Sequence, residues 1–446
     1  MASSVKSPRN FVVYPDWVIR VLPDCQPLMQ RGVVVQEGKI ADLLPRSECE
    51  NRYPGLPAYE LPGQLLIPGL VNMHGHAAMT LLRGFADDLP LKTWLEQHIW
   101  PAEQRWVDSE FVADGTRLAI AEMLSAGTTS FCDQYFFPGQ SASAAAEAGI
   151  RAQIAFPLLD FPIPGAASPD EAIHQGLELY DQYKNHSLVS IAFGPHAPYT
   201  LNDDNLRRVA MLAGEVDAAI HIHLHETAQE IEDSLAQHGV RPIQRLADLD
   251  LLGPRTQCVH MTQLDQSDLE LLARNNAHLV HCPTSNLKLG SGICPVSQVA
   301  EQGINLTLGT DGAASNNRLD MFAEIRLAAL LAKGTSGNPE AMPAASVLAA
   351  ATMGGAKALG LEEQIGSIEK GKQADLVAIN LDSLASQPVY DPLSQLVYAC
   401  SSNQVTHTWV AGKLLYERGE LKTLHRPTLS KRARHWADRI RGASND

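Results

Sequence analysis

Residues 66–76 read LIPGLVNMHGH, an apolar run that closes on two histidines separated by one glycine. Side chains two apart on a strand share a face. Neutral imidazole is a common metal ligand, so His74 and His76 can reach one ion. The pair alone does not make a site, because a stray pair of this kind is more often packed in a core. Seven further apolar runs follow: GTTSFCDQY (127–135), RAQIAFPLLD (151–160), SIAFGPHAP (190–198), AAIHIHLHE (218–226), QCVHMT (257–262), HLVHCPTSN (278–286) and INLTLGTDG (304–312). Between them lie stretches with apolar residues at helical spacing, such as SEFVADGTRLAIAEMLSAG (109–127) and RLDMFAEIRLAALLAKG (318–334). Several open on Ser or Asp, as N-caps do, and several end near Gly. Eight strand–helix alternations predict an α/β fold, a (β/α)8 TIM-like barrel over residues 68–368. A doubly wound open sheet is the alternative, but no Gly-x-Gly-x-x-Gly follows the first strand.

Both ends of the chain read differently. NFVVYPDWVIRVL (10–22), GVVVQEGKIADLL (32–44) and AYELPGQLL (58–66) alternate as β segments with Gly and Pro between them. QADLVAINLD (373–382) and VTHTWVAGKLLYERGEL (405–421) have the same character. Neither set makes a domain alone, so residues 1–67 and 369–446 are expected to join into one small β-sandwich beside the barrel. The last segment, LSKRARHWADRIRGASND (429–446), reads as a basic amphipathic helix, expected to be a solvated surface helix.

The formal net charge of -15 disfavours a nucleic-acid backbone or an anionic membrane as partner. The 7 cysteines are scattered and form no Cys-x-x-Cys, which excludes zinc-ribbon and cytidine-deaminase signatures and fits a reducing compartment. MASSVKSPRN carries no apolar leader, and no run approaches the ~18 apolar residues of a membrane span. A cytoplasmic enzyme, in a homo-oligomer, is expected.

Barrel enzymes place their chemistry where strands end. Here those ends carry His74 and His76, then His196, then His221, His223, His225 and Glu226, then His260, His281 and finally Asp311. Eight of the chain's 16 histidines fall at these ends, which turns the opening pair into a metal site. A catalytic zinc keeps three or four protein ligands and an open position. His74, His76, one strand-five histidine and Asp311 meet that need. Alternation puts the three histidines of HIHLHE on one face. His223 is preferred because it leaves Glu226 just past the strand end; His225 is the competing choice.

PGLVNMHGHAAMTLLRGFADDLPLKTWLEQHIWPAE (68–103), HLHET (223–227), VHMT (259–262), HCPTSNLKLGSG (281–292) and TDGAASNN (310–317) resemble the amidohydrolase superfamily. Within it they most resemble the 5-methylthioadenosine/S-adenosylhomocysteine deaminase family, over nearly the whole chain. The resemblance implies one zinc on His74, His76, His223 and Asp311, with Glu226, His260 and Asp311 serving catalysis. It implies that His196, Glu226 and Asp311 contact a purine nucleoside, that Glu103 binds ribose hydroxyls, that Arg151 faces the sugar's 5′ side and that Trp94 packs on the base or its substituent. An ordinary ion pair is the plain alternative for Arg151, a surface carboxylate for Glu103, and core packing for Trp94. Iron or manganese also suits a His/Asp site. Some relatives carry a second arginine shortly after Arg151; FPIPGAA (161–167) has no cation there, which favours the uncharged methylthio substrate. Rival reactions on such a scaffold are nucleobase deamination and triazine dechlorination. A two-metal cyclic-amide hydrolase would want a bridging lysine or glutamate at a strand end, and none of the eight ends carries a lysine.

Overall fold

The eight apolar runs form eight parallel strands, named here β1 (Leu70–Asn72), β2 (Thr128–Gln134), β3 (Arg151–Leu158), β4 (Val189–Pro195), β5 (Ile220–Leu224), β6 (Thr256–His260), β7 (His278–His281) and β8 (Asn305–Leu308). The computed structural model describes residues 8–442. Each strand pairs with its sequence neighbour, so the order around the sheet is the order along the chain. The ring closes just past the paired strands: Met73 N–H donates to Leu308 O at 2.9 Å and Asp311 N–H to His74 O at 2.9 Å. That closure sets the first metal-ligand candidates beside the last one. Gly309 permits it, because a Cβ there would stand 2.7 Å from the His74 nitrogen.

The helices between strands start where the sequence places them. Asp108, Ser168, Asn202, Thr227, Asp265 and Asp320 each cap a helix by accepting a backbone N–H. Strand side chains facing outward, such as Ile154, Ile222, Leu224 and Leu279, pack on those helices in the main core. Val71, Met73, Cys132, Val259 and Val280 fill a separate core.

The two chain ends do join, as one nine-stranded mixed sheet. Its seam is Leu376–Asn380 running antiparallel to Ala58–Pro68, with Ala378 opposite Leu66. Alternation along both strands explains its two faces. Leu66, Leu376 and Ala378 pack in the sheet's own core with Phe11 and Trp409, while Leu65, Ile67, Val377 and Ile379 pack against the barrel. The terminal basic helix, Arg426–Gly442, is anchored more firmly than a solvated surface helix. Trp436 is fully buried, edge-on to Phe111 at 5.1 Å, and its Nε1–H donates to Asp114 at 2.9 Å. It thereby braces helix Ser109–Ser125, whose Gly115 lies so close to Ala78 that a Cβ would meet the Ala78 oxygen at 2.5 Å. Residues 1–7, expected to lack a leader, and 443–446 lie outside the described residues.

Candidate active site

His74, His76, His223, His260 and Asp311 converge where the strands end. His74 Nε2 and His76 Nε2 both lie 3.3 Å from Asp311 Oδ1, and His223 Nε2 lies 3.2 Å from His74 Nε2. The outer nitrogens of these rings fix their tautomers. His76 Nδ1 faces the Gln134 carbonyl at 2.6 Å, and His223 Nδ1 faces the His196 carbonyl at 2.7 Å. A carbonyl only accepts, so both Nδ1 atoms carry protons and both Nε2 atoms present lone pairs. For His74 the same result runs through His221. Gln257 Nε2 donates to Ala358 O, so its Oε1 accepts from His221 Nδ1 at 2.8 Å. His221 Nε2 then accepts from His74 Nδ1 at 2.8 Å, leaving His74 Nε2 bare.

Two bare nitrogens 3.2 Å apart beside a carboxylate repel each other unless a cation joins them. The donor set, imidazole nitrogens plus one carboxylate oxygen, is the kind that zinc takes. Burial holds His74 and His223 well below the usual histidine range, so both rings are neutral, as ligands must be. Ser285 Oγ–H donates to Asp311 Oδ2 at 2.6 Å and Gly312 N–H to Oδ1 at 2.6 Å, fixing its orientation.

His225 lies elsewhere. The paired strand stops at Leu224, and His225 turns into the left-handed region at φ 53°. Its Nε2 accepts the Ile243 N–H at 3.0 Å and its Nδ1 faces Gln263 O at 3.1 Å. Strand alternation therefore does not carry the third histidine of HIHLHE to the face of the first two.

A cleft of about 970 Å³, open to solvent, stands over the cluster. Asp311, His223, His76, His260, Glu226 and His196 line its floor side, and Trp94 and Glu103 also line it. Glu226 Oε2 lies 3.8 Å from His260 Nε2, and Ser291 Oγ–H donates to Glu226 Oε1 at 3.3 Å. Burial pushes the Glu226 carboxyl up; the His260 charge pulls it back and the Asp311 charge adds to the rise. Glu103, on helix Trp100–Trp106, accepts the Tyr135 hydroxyl at 2.7 Å and is pushed up to about 7 by burial. Burial likewise takes His196 down to about 3. Trp94 is at once core and wall: it is buried and its Nε1–H donates to Ala86 O at 3.1 Å.

Arg151 is a correction. It opens β3, whereas Pro157 near the other end of that strand lines the cleft. Six residues of strand put it ~20 Å away, at the opposite mouth of the barrel. It is 4 % exposed and pairs with Asp375 of the terminal sheet at 3.2 Å. A strand's first residue lies at the N-terminal face, away from the chemistry, and Arg151 is the ordinary ion pair of the plain alternative.

The model of the amidohydrolase family matches residues 65–415. The chain belongs to the amidohydrolase family. Among its relatives is a 5-methylthioadenosine/S-adenosylhomocysteine deaminase of Teredinibacter turnerae, 52% identical over 95% of this chain and 96% of that protein. At that likeness this amidohydrolase is a member of the same deaminase family. The zinc-bound structure of an adenosine deaminase from Xanthomonas campestris is 48% identical, with a TM-score of 0.96 over 98% of this chain and 100% of that one. The zinc-bound atrazine chlorohydrolase of Arthrobacter aurescens, 23% identical with a TM-score of 0.89 over 96% of this chain and 99% of its own, shares the fold.

Sequence reasoning missed several residues that build the amidohydrolase site. Ser285 and Asn286 belong to the PTSN that follows β7; Asn286 Oδ1 faces His260 Nδ1 at 2.8 Å. Their place right after a strand end was the available signal. Tyr135 ends the second run in the same way. His281 is fully buried with neither ring nitrogen hydrogen-bonded among the described residues, and it does not line the cleft.

Proposed function

We propose that this amidohydrolase hydrolyses the 6-amino group of 5′-methylthioadenosine, giving the inosine analogue and ammonia. One zinc ion is held by His74, His76, His223 and Asp311. The observation that carries this reading is the grouping of those donors with two buried carboxyls, Glu226 and Glu103, in one cleft. Zinc in such a centre supplies a hydrolytic nucleophile near neutral pH by lowering the pKa of water.

The chain's own groups handle the protons. Asp311 accepts a proton from the attacking water, and His260 Nε2 orients that water. The Glu226 carboxyl, favoured in its protonated form by burial, gives its proton to purine N1 as the C6–O bond forms. When the C6–N bond breaks, the proton held by Asp311 leaves with ammonia, and the C6 hydroxyl gives its proton to the emptied Glu226 carboxylate as C6=O forms, which restores the acid. Glu103 accepts hydrogen bonds from the ribose hydroxyls, and His196 and Trp94 pack and orient the nucleoside. A bare base or triazine has no ribose to engage Glu103, which favours the nucleoside reading.

Most of the remaining cleft wall is apolar, with Trp100, Leu159, Phe161, Pro162 and Ile163 among its residues. No lysine or arginine lines it among the described residues. A methylthio group fits such a wall, while the charged homocysteine tail would be desolvated without a partner. All seven cysteines are buried and unpaired, in keeping with a reducing cytoplasm. No helix among the described residues is long and apolar enough to cross a membrane. Glu226→Gln tests the chemistry. It is expected to keep its zinc and lose about 10²–10⁴-fold in turnover; full turnover would remove Glu226 from the reaction.

A further inference from the structure

Glu226 stands beyond the end of β5, so strand pairing does not place it. What places it is a turn in which the backbone of His225 and Glu226 is held from both sides. His225 sits at φ 53°, a region that non-glycine residues seldom occupy without support. Its N–H donates to Glu230 Oε1 at 2.9 Å, and the Glu226 N–H donates to Glu230 Oε2 at 2.7 Å. On the carbonyl side, Thr262 Oγ1–H donates to Glu226 O at 2.7 Å and Thr262 N–H to His225 O at 3.0 Å.

Glu230 lies in the first turn of helix Ala228–His238, which Thr227 caps by accepting the Glu230 N–H at 3.2 Å. In an ordinary capping box a glutamate at this position reaches back to the N–H of the cap residue. Here it reaches one and two residues further, to the catalytic glutamate and the residue before it. Glu230 is 7% exposed and does not line the cleft. A helix cap alone would not need a buried carboxylate on two N–H groups outside the helix.

We infer that Glu230 is a positioning residue for the reaction: by accepting two successive backbone N–H bonds it fixes the left-handed turn that aims the Glu226 carboxyl at the substrate. The inference rests on Glu226 being the proton carrier proposed above. Both carboxylate oxygens are needed. In Glu230→Gln one oxygen still accepts, but the amide nitrogen points a donor at a donor, and one end of the turn comes loose. A displacement of about 1 Å at a reacting group costs about 10²-fold in rate.

The test is a double-mutant cycle on the zinc-loaded protein, with zinc content, kcat and KM for 5′-methylthioadenosine read in each variant. Glu230→Gln is expected to keep stoichiometric zinc, hold KM within about threefold and lose about 10²-fold in kcat. In a Glu226→Gln background the same change is expected to leave the residual rate nearly untouched. Loss of zinc, or an equal fold-loss in both backgrounds, assigns Glu230 to structure alone and overturns the inference. If Glu226→Gln is inactive and Glu230→Gln is not, the inference alone fails; if Glu226→Gln is fully active, the proton-carrier reading fails first. Should Glu230→Gln not fold, Glu230→Asp keeps both acceptor oxygens but shortens the reach, and it is expected to show the same split. A chain that accumulates only with glutamate at 230 also overturns the inference.

Discussion

Glu103 shows how one buried group ties the site to stability. Its carboxyl is pushed up to about 7 by burial, with the Tyr135 hydroxyl pulling it back. A carboxyl whose folded pKa stands above its unfolded value favours the fold through its protonated form. That contribution is complete below an unfolded value of about 4.3 and is lost as pH rises through 7. Glu103→Gln carries no such dependence. Between pH 5 and 8 the melting temperature of the parent is expected to fall relative to Glu103→Gln, because every other group is shared. Parallel curves in thermal scans would show that Glu103 is not a neutral buried carboxyl. The same residue marks what the sequence could say: HIWPAE sits in a region of strong family likeness, but only the fold brings Tyr135, 32 positions on, against it. Metal-ligand candidates were legible because a barrel gathers its strand ends. Ser285, Asn286 and Glu230 were not, because each acts through the atom of another residue and leaves no periodic trace.

At the scale of the element, β5 decides which histidine faces the cluster of His74, His76 and Asp311. Period-two alternation holds only while the strand is paired, and pairing with β6 ends at Leu224 opposite His260. His221 and His223 obey it, one braced by Gln257 and one facing the cleft. His225 follows a left-handed turn and is spent on the N-terminus of helix Pro242–Asp248. The residue types could not reveal where pairing stops. His223→Ala is therefore expected to lose bound zinc, while His225→Ala keeps it stoichiometrically and loses stability instead. Zinc analysis of the two purified variants decides, and the reverse pattern would move the ligand to His225. The strand and helix runs themselves were legible, because parallel strands buried on both faces read as short apolar runs. The mixed sheet was legible as two halves. Its seam is a pairing between residues more than 300 positions apart, Ala378 and Leu66, beyond any local pattern.

Across the whole molecule, the sheet from the chain ends is fastened to the mouth of the barrel opposite the chemistry. Arg151 at the start of β3 and Asp375 before the seam strand are 4 % and 5 % exposed, and Asp375 also accepts the Ala411 N–H at 2.6 Å. The family likeness around AGIRAQI suggested a substrate contact; its position as a strand's first residue argued against one. Removing one partner of a buried pair leaves the other charge uncompensated, at a cost of about 3–5 kcal/mol. Arg151→Met is expected to lower stability by about that amount in denaturant melts and to leave KM for the nucleoside unchanged. A raised KM with intact stability would return Arg151 to the substrate.

The measurement that bears most directly on the account is ammonia release by the zinc-loaded protein, read with the ultraviolet change of adenine to hypoxanthine. The substrates are 5′-methylthioadenosine, S-adenosylhomocysteine, adenosine, guanine and a chlorotriazine. The expected result is the highest kcat/KM for 5′-methylthioadenosine, with S-adenosylhomocysteine well below it. Turnover of only the bare base or the triazine would contradict the account, since Glu103 would then have no ribose to hold.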